Sequence, residues 1–203
     1  MKITWLGHAC FALEQGGYRI VTDPYTGVEG YPELHAEAHG VFCSHQHHDH
    51  GAVEQVTLLP PRPSPFAVRE AVCFHDDQGG ALRGTNTVRV FTAGGLSVAH
   101  LGDLGHTLTP EQAAAIGPVD GVLVPVGGYY TVDAAGAKAV CDALKPRFVV
   151  PMHYHHPPYG LTIVAGVKDF LALWPAEAVQ RLSGPSFEVS ADTAGVIVPT
   201  FLG

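Results

Sequence analysis

Apolar, β-rich runs broken by polar and glycine turns open the chain. Residues 2–6, 9–14 and 18–22 each predict a strand, and Gln15-Gly16-Gly17 between the last two predicts a hairpin. Asp23-Pro24 closes the third run, and residues 24–39, rich in Gly, Pro and Tyr, read as a loop. A short apolar run at 40–43 follows, and Ala52 to Gln55 has room for one helical turn. Four prolines at 60, 61, 63 and 65 exclude both helix and central strand, which leaves a rigid surface connection.

Residues 66–74 form another strand-like run, and 86–92 with 96–101 flank Ala93-Gly94-Gly95, a second hairpin signal. Thr109-Pro110-Glu111-Gln112 carries a capping-box pattern with proline at the first helical position, and Gly117-Pro118 ends that helix. Residues 121–126 are a continuous apolar run of buried-strand length, 133–144 an alanine-rich helix that stops before Pro146, and 147–151 a second buried strand. Strand, helix and strand make a βαβ unit. A short helix at 167–174 and weak strands at 187–189 and 196–198 complete the pattern. No linker or fixed repeat interrupts it, so residues 1–203 are expected to form one layered domain of α/β or α+β class.

Composition narrows the classes. With 46% apolar and 15% charged residues the chain is globular rather than disordered. A net charge of −8, with 11 Lys plus Arg and no basic run, argues against a nucleic-acid partner. No apolar run approaches the ~18 residues of a spanning helix, and the N-terminus shows no leader pattern, so a cytoplasmic, membrane-free protein is expected. Four scattered cysteines without a Cys-x-x-Cys pair read as buried thiols in a reducing compartment. The 13 histidines outnumber Lys and Arg together, which points to metal chemistry.

Ser44-His45-Gln46-His47-His48-Asp49-His50-Gly51 concentrates that chemistry at the end of the 40–43 run. Imidazole suits zinc and its first-row neighbours, a carboxylate completes a shell, and catalytic sites keep one position open for water. Strand alternation puts His45 and His47 on one side, while Asp49 and His50 need a turn beyond it, a geometry that suggests two adjacent metals. His75, Asp103 and His153 also follow apolar strand-like runs, where sheets of this class place their sites.

The order His45-x-His47-x-Asp49-His50, His75, Asp103, His153 resembles the metal-binding set of the metallo-β-lactamase fold superfamily. Trp5-Leu6-Gly7-His8-Ala9, Asp23-Pro24, Gly102-Asp103, Pro125-Val126-Gly127-Gly128 and Pro151-Met152-His153-Tyr154 are similar to its compact prokaryotic hydrolases, the branch of ascorbate-6-phosphate lactonase and N-acyl-phosphatidylethanolamine phospholipase D. The resemblance implies a four-layer αβ/βα sandwich with the site at one edge of its sheets. It also implies one divalent ion on His45, His47 and His75, a second on Asp49, His50 and His153, and Asp103 bridging them. Five histidines and two aspartates favour zinc, with manganese, nickel or iron as alternatives.

Such a centre implies a dinuclear-metal-bound hydroxide, positioned by Asp49 and Asp103, that cleaves an ester, lactone, amide or phosphodiester of a small anionic substrate. Lactonase or phosphoesterase activity follows most directly from the resemblance. A diiron-type oxidoreductase and a non-catalytic metal sensor are the alternatives, and association with a second copy stays open. Further candidates near the ligands are Asp23 and His100 as supports, His8 and His106 for charge or proton transfer, Arg83 for a phosphate or carboxylate, and Tyr129 and Tyr130 at the mouth.

Overall fold

The N-terminal β-rich runs become an antiparallel meander in the computed structural model, which describes residues 1–202. The order is β1 Lys2–Gly7, β2 Cys10–Gln15, β3 Tyr18–Thr22, β4 Ala36–Ala38, β5 Gly40–Phe42, β6 Val56–Leu58, β7 Ala67–Phe74, β8 Thr85–Ala93 and β9 Leu96–His100. Helix α1 Pro110–Ile116, β10 Gly121–Pro125, α2 Ala134–Leu144, β11 Phe148–Met152, α3 Lys168–Leu171, β12 Val179–Arg181, β13 Ser186–Glu188 and β14 Gly195–Val198 follow.

One sheet runs β13-β1-β2-β3-β5, the other β12-β14-β11-β10-β9-β8-β7. Alternation decides which way the first sheet faces. Ile3, Trp5, Phe11, Leu13 and Ile20 point into the core shared with the second sheet. Cys10, Ala12 and Val21 point the other way, under Tyr25, Val28, Tyr31 and Leu34. In the second sheet, β9, β10, β11 and β14 pair in parallel, and β10 and β11 are buried along their whole length. That is why both read as unbroken apolar runs. Helix α1 packs on β7 and β8, and α2 on β10 and α3. The outer face of the first sheet is covered instead by the 24–39 segment and the small β4-β6 ladder.

The helix signals hold in detail. Thr109 accepts from the Gln112 backbone N–H and Gln112 returns the bond to Thr109, closing the capping box, and Asp133 caps α2. Three expectations change. The 24–39 loop contains β4, the 167–174 helix shrinks to α3, and β6 and β12 add strands where none was predicted. Each added strand has three residues, too few for a period to show, and is held by pairing partners distant in sequence. The four cysteines are free thiols, three buried and Cys43 half-buried. Among the described residues, no helix is long and apolar enough to cross a membrane.

Candidate metal centre

Four strand ends deliver donors to one edge of the molecule. The 44–51 stretch leaves β5, His75 leaves β7, Asp103 follows β9 and His153 follows β11. The β1–β2 turn adds His8, and the end of β3 adds Asp23. His8, Asp23 and His153 have φ of 50°, 44° and 52°, the left-handed region that non-glycine residues rarely adopt. Such backbone persists where the surroundings over-determine it. Here the His8 carbonyl does so, accepting from Trp5 Nε1 at 3.0 Å and from the His153 backbone N–H at 3.3 Å. One bond network therefore ties the β1–β2 turn to the end of β11.

Asp103 is central and almost fully buried. Its Oδ1 lies 3.1 Å from His50 Nε2, and its Oδ2 lies 3.3 Å from His75 Nε2 and 3.4 Å from His153 Nε2. Asp49 Oδ2 lies 3.6 Å from His8 Nε2 and 3.8 Å from His50 Nε2. Three groups have donors mutually within 4.8 Å: His45, His47 and His75; His8, Asp49, His50 and His153; and His45, His50 and Asp103. Nε2 of His8, His45, His50 and His153 and Oδ1 of Asp103 are buried without a hydrogen-bond partner. Buried polar atoms are normally paired, so a converging set of lone pairs fits a cation or cations that complete them.

Asp23 and Ser44 set the ring orientations. The Ser44 backbone N–H donates to Asp23 Oδ1 and its hydroxyl to Asp23 Oδ2, each at 2.6 Å. Ser44 Oγ must then accept from His45 Nδ1–H at 2.9 Å, and His50 Nδ1–H donates to Asp23 Oδ2 at 2.8 Å. Both rings therefore turn Nε2 and its lone pair toward the cluster, the arrangement outer carboxylates impose on ligand histidines. Asn86 supports Asp103 by accepting from its backbone N–H at 2.9 Å while donating to the Leu101 carbonyl. Gly102 has φ of 54°, and a Cβ there would stand 2.3 Å from Asn86 Oδ1 and 2.4 Å from Ser44 Cβ, so the supports close around it.

Burial and charge act against each other in the cluster. Burial, reinforced by His153, lowers the His8 pKa to about 4, and burial with His50 lowers His45 to about 4. Burial opposes charge on Asp103 too, but His153 and His50 outweigh it and hold the carboxyl well below its usual range. His50 goes the other way, because Asp103 and Asp23 overcome its burial. An ionised Asp103 beside neutral His8 and His45 matches the protonation states metal ligation requires, whereas His50 would release a proton to a bound cation.

The remaining candidates separate by position. Arg83 and Tyr130 line an open cleft of about 610 Å³ with His47, Asp49, His75 and Asp103. Tyr129 stands outside it, exposed, with its ring edge-on to Tyr130 at 4.7 Å. His100 is buried, donates from Nε2 to the Ala9 carbonyl and accepts at Nδ1 from the Gly102 N–H, which leaves it no free lone pair. His106 accepts from the Phe74 N–H and donates to the Thr107 carbonyl, so both its nitrogens serve the backbone beside His75. Ser44 and Asn86 were not singled out from the sequence, since a Ser or Asn at a strand end carries no signal of its own.

Residues 2–153 match the family model described as a β-lactamase superfamily domain. The chain is 28% identical to a UPF0173 metal-dependent hydrolase of Carboxydothermus hydrogenoformans, over 84% of this chain and 90% of that one. It is 30% identical to a UPF0173 protein of Pyrococcus furiosus, over 76% and 83% respectively. Among solved structures, a candidate Zn-dependent hydrolase of the metallo-β-lactamase superfamily from Thermotoga maritima superposes with a TM-score of 0.78 at 38% identity, covering 99% of both chains. A metallo hydrolase of Ignicoccus hospitalis, at 20% identity and a TM-score of 0.61 over 93% of this chain and 99% of that one, shares the fold.

Proposed function

The chain belongs to the metallo-β-lactamase superfamily, in its branch of metal-dependent hydrolases, and from that premise we propose that it hydrolyses an ester, lactone, amide or phosphodiester bond of a small anionic molecule at a pair of divalent metal ions. The observation that supports this is the set of buried, unpartnered His and Asp atoms converging at the wall of an open cleft. His45, His47 and His75 would hold one ion and Asp49, His50 and His153 the other, with Asp103, whose oxygens lie near His50, His75 and His153, available to both. When bound, divalent metal supplies Lewis acidity and a water acidified toward neutral pH.

The chain's own residues do the rest. Asp23 fixes His50 directly and His45 through Ser44, so these two rings are already turned toward the cluster. Asp49 and Asp103 bring negative charge to the ligand set, and two divalent ions leave it net positive, which favours an anionic or strongly polarised substrate. The ligand chemistry favours zinc, and manganese, nickel and iron are the alternatives that metal analysis separates. The same proposal places the protein in the cytoplasm, with a small-molecule substrate and no nucleic-acid or membrane partner.

Metal analysis combined with a hydrolysis panel of esters, lactones, amides and phosphodiesters tests it. Two ions per chain are expected, with metal and turnover both lost in Asp103→Asn. Fewer than one ion per chain, or turnover retained in that variant, overturns the dinuclear centre. Diiron absorption bands with oxygen consumption transfer the protein to the redox alternative.

A further inference from the structure

Beside the metal ligands the cleft presents a cation that no carboxylate among the described residues pairs. Arg83 lines it with Tyr130, Val28 and Leu161, and its guanidinium carbon lies 5.4 Å from the centre of the Tyr130 ring. Arg89 pairs with Glu70 and Arg147 with Asp120, while Arg62 and Arg69 donate to backbone carbonyls. Among the described residues, the Arg83 side chain has no carboxylate within 4.0 Å and no hydrogen-bond acceptor.

The loop that carries it is built around one carboxylate. Asp76, directly after the ligand His75, is buried and accepts from the backbone N–H groups of Gln78, Gly80, Leu82 and Arg83 at 2.9, 2.8, 3.0 and 2.7 Å. The Gly84 N–H then bonds the Gly80 carbonyl, and the His75 N–H bonds the Gly84 carbonyl at 3.1 Å. The network holds the start of the Arg83 side chain at a set distance from His75, with the Tyr130 ring facing the guanidinium.

We propose that Arg83, held over the Tyr130 ring, is an oxyanion subsite that binds a phosphate or carboxylate group of the substrate while the scissile bond lies at the metal ligands. This rests on the hydrolase function proposed above. A guanidinium offers a planar fork that matches two oxygens of either group. A chain of net charge −8 does not draw anions at large, so a local cation in the cleft is where such selectivity has to be built. Val28 and Leu161 supply apolar walls for the carbon skeleton between the anion and the cleaved bond. Asp76 is a positioning residue in this arrangement.

Three p-nitrophenyl esters with the same leaving group and similar acyl length read the subsite on metal-loaded protein: the butyrate, the monosuccinate and the 3-phosphonopropionate. The wild-type protein is expected to prefer one anionic ester over the butyrate by roughly tenfold or more in kcat/KM. Which one it prefers distinguishes carboxylate from phosphate. In Arg83→Gln that ratio falls toward one, and in Arg83→Lys it recovers part way. A wild-type ratio near one, or a ratio that survives Arg83→Gln, overturns the subsite while ester hydrolysis stands. If no ester is cleaved, the reaction proposal fails for that bond, and calorimetric binding of succinamate, 3-phosphonopropionamide and butyramide reads the subsite alone. A drop of about tenfold in anion affinity on Arg83→Gln supports it there, and equal affinity, or no binding by the wild type, overturns it.

Discussion

The two halves of the donor cluster, three histidines on one side and Asp49 with two histidines on the other, are held differently. His50, His153 and Asp103 are almost completely buried, His50 is pinned through Nδ1 to Asp23, and His153 sits in left-handed backbone tied to the His8 carbonyl. His47, on the opposite side, is exposed at the cleft, and among the described residues no hydrogen bond holds its ring. Its partner His45 is braced through Ser44, but by a hydroxyl rather than directly by a carboxylate. On the dinuclear proposal, unequal preorganisation predicts unequal binding: the half braced by Asp23 would hold its ion more tightly, and the half with the exposed His47 would exchange its ion and meet substrate.

The largest effect comes from removing the group both halves share. Asp103→Ala should lose both ions and lower turnover by more than about a hundredfold, beyond the range of outer-shell changes. Retention of one tight ion would show that the halves are independent. Next comes His47→Ala against His50→Ala, compared by chelator titration. His47→Ala should keep about one tightly held ion and His50→Ala should not, and the reverse order would invert the comparison. Smaller again is Asp23→Asn, which keeps the shape but removes the charge that orients His50 and, through Ser44, His45. Metal affinity should fall by roughly 10- to 100-fold, with the buried half affected more. An unchanged affinity would mean that the rings hold their orientation without Asp23.

The same contrast separates what was legible in the sequence from what was not. Local chemistry carried the candidate ligands: four imidazoles and a carboxylate within 45–50 have no ordinary packing explanation, and three later strand ends supplied polar residues to match. The resemblance then grouped them; the donors that lie together are His45 with His47 and His75, His8 with Asp49, His50 and His153, and His45 with His50 and Asp103. The bracing was less visible because it depends on pairs distant in the chain, such as Asp23 with His50 and Asn86 with Asp103. The fold divided the same way. Helices α1 and α2 announced themselves through caps and composition, whereas β4, β6 and β12 are three-residue strands created by their partners. Asp76 was hidden for a similar reason, since nothing in His75-Asp76-Asp77 says which carboxylate will collect four backbone amides.

The smallest expected effect tests whether bracing is local. Helix α1 packs on β7, the strand that ends at His75, so a general loosening there could reach the metal ligands through the sheet. Thr109→Ala opens the capping box of that helix without touching the centre. It should cost about 1 kcal/mol of stability, a fall of roughly 2–4 °C in Tm for a chain of this size. Metal content and affinity should not move, because the orientation of His45 and His50 is set by Asp23 and Ser44, and Asp103 by Asn86, none of which contacts the cap through a hydrogen bond. A loss of metal affinity comparable to that of Asp23→Asn would show that the ligands depend on the rigidity of the whole second sheet, and the difference between the two halves would then reflect depth in the fold rather than bracing.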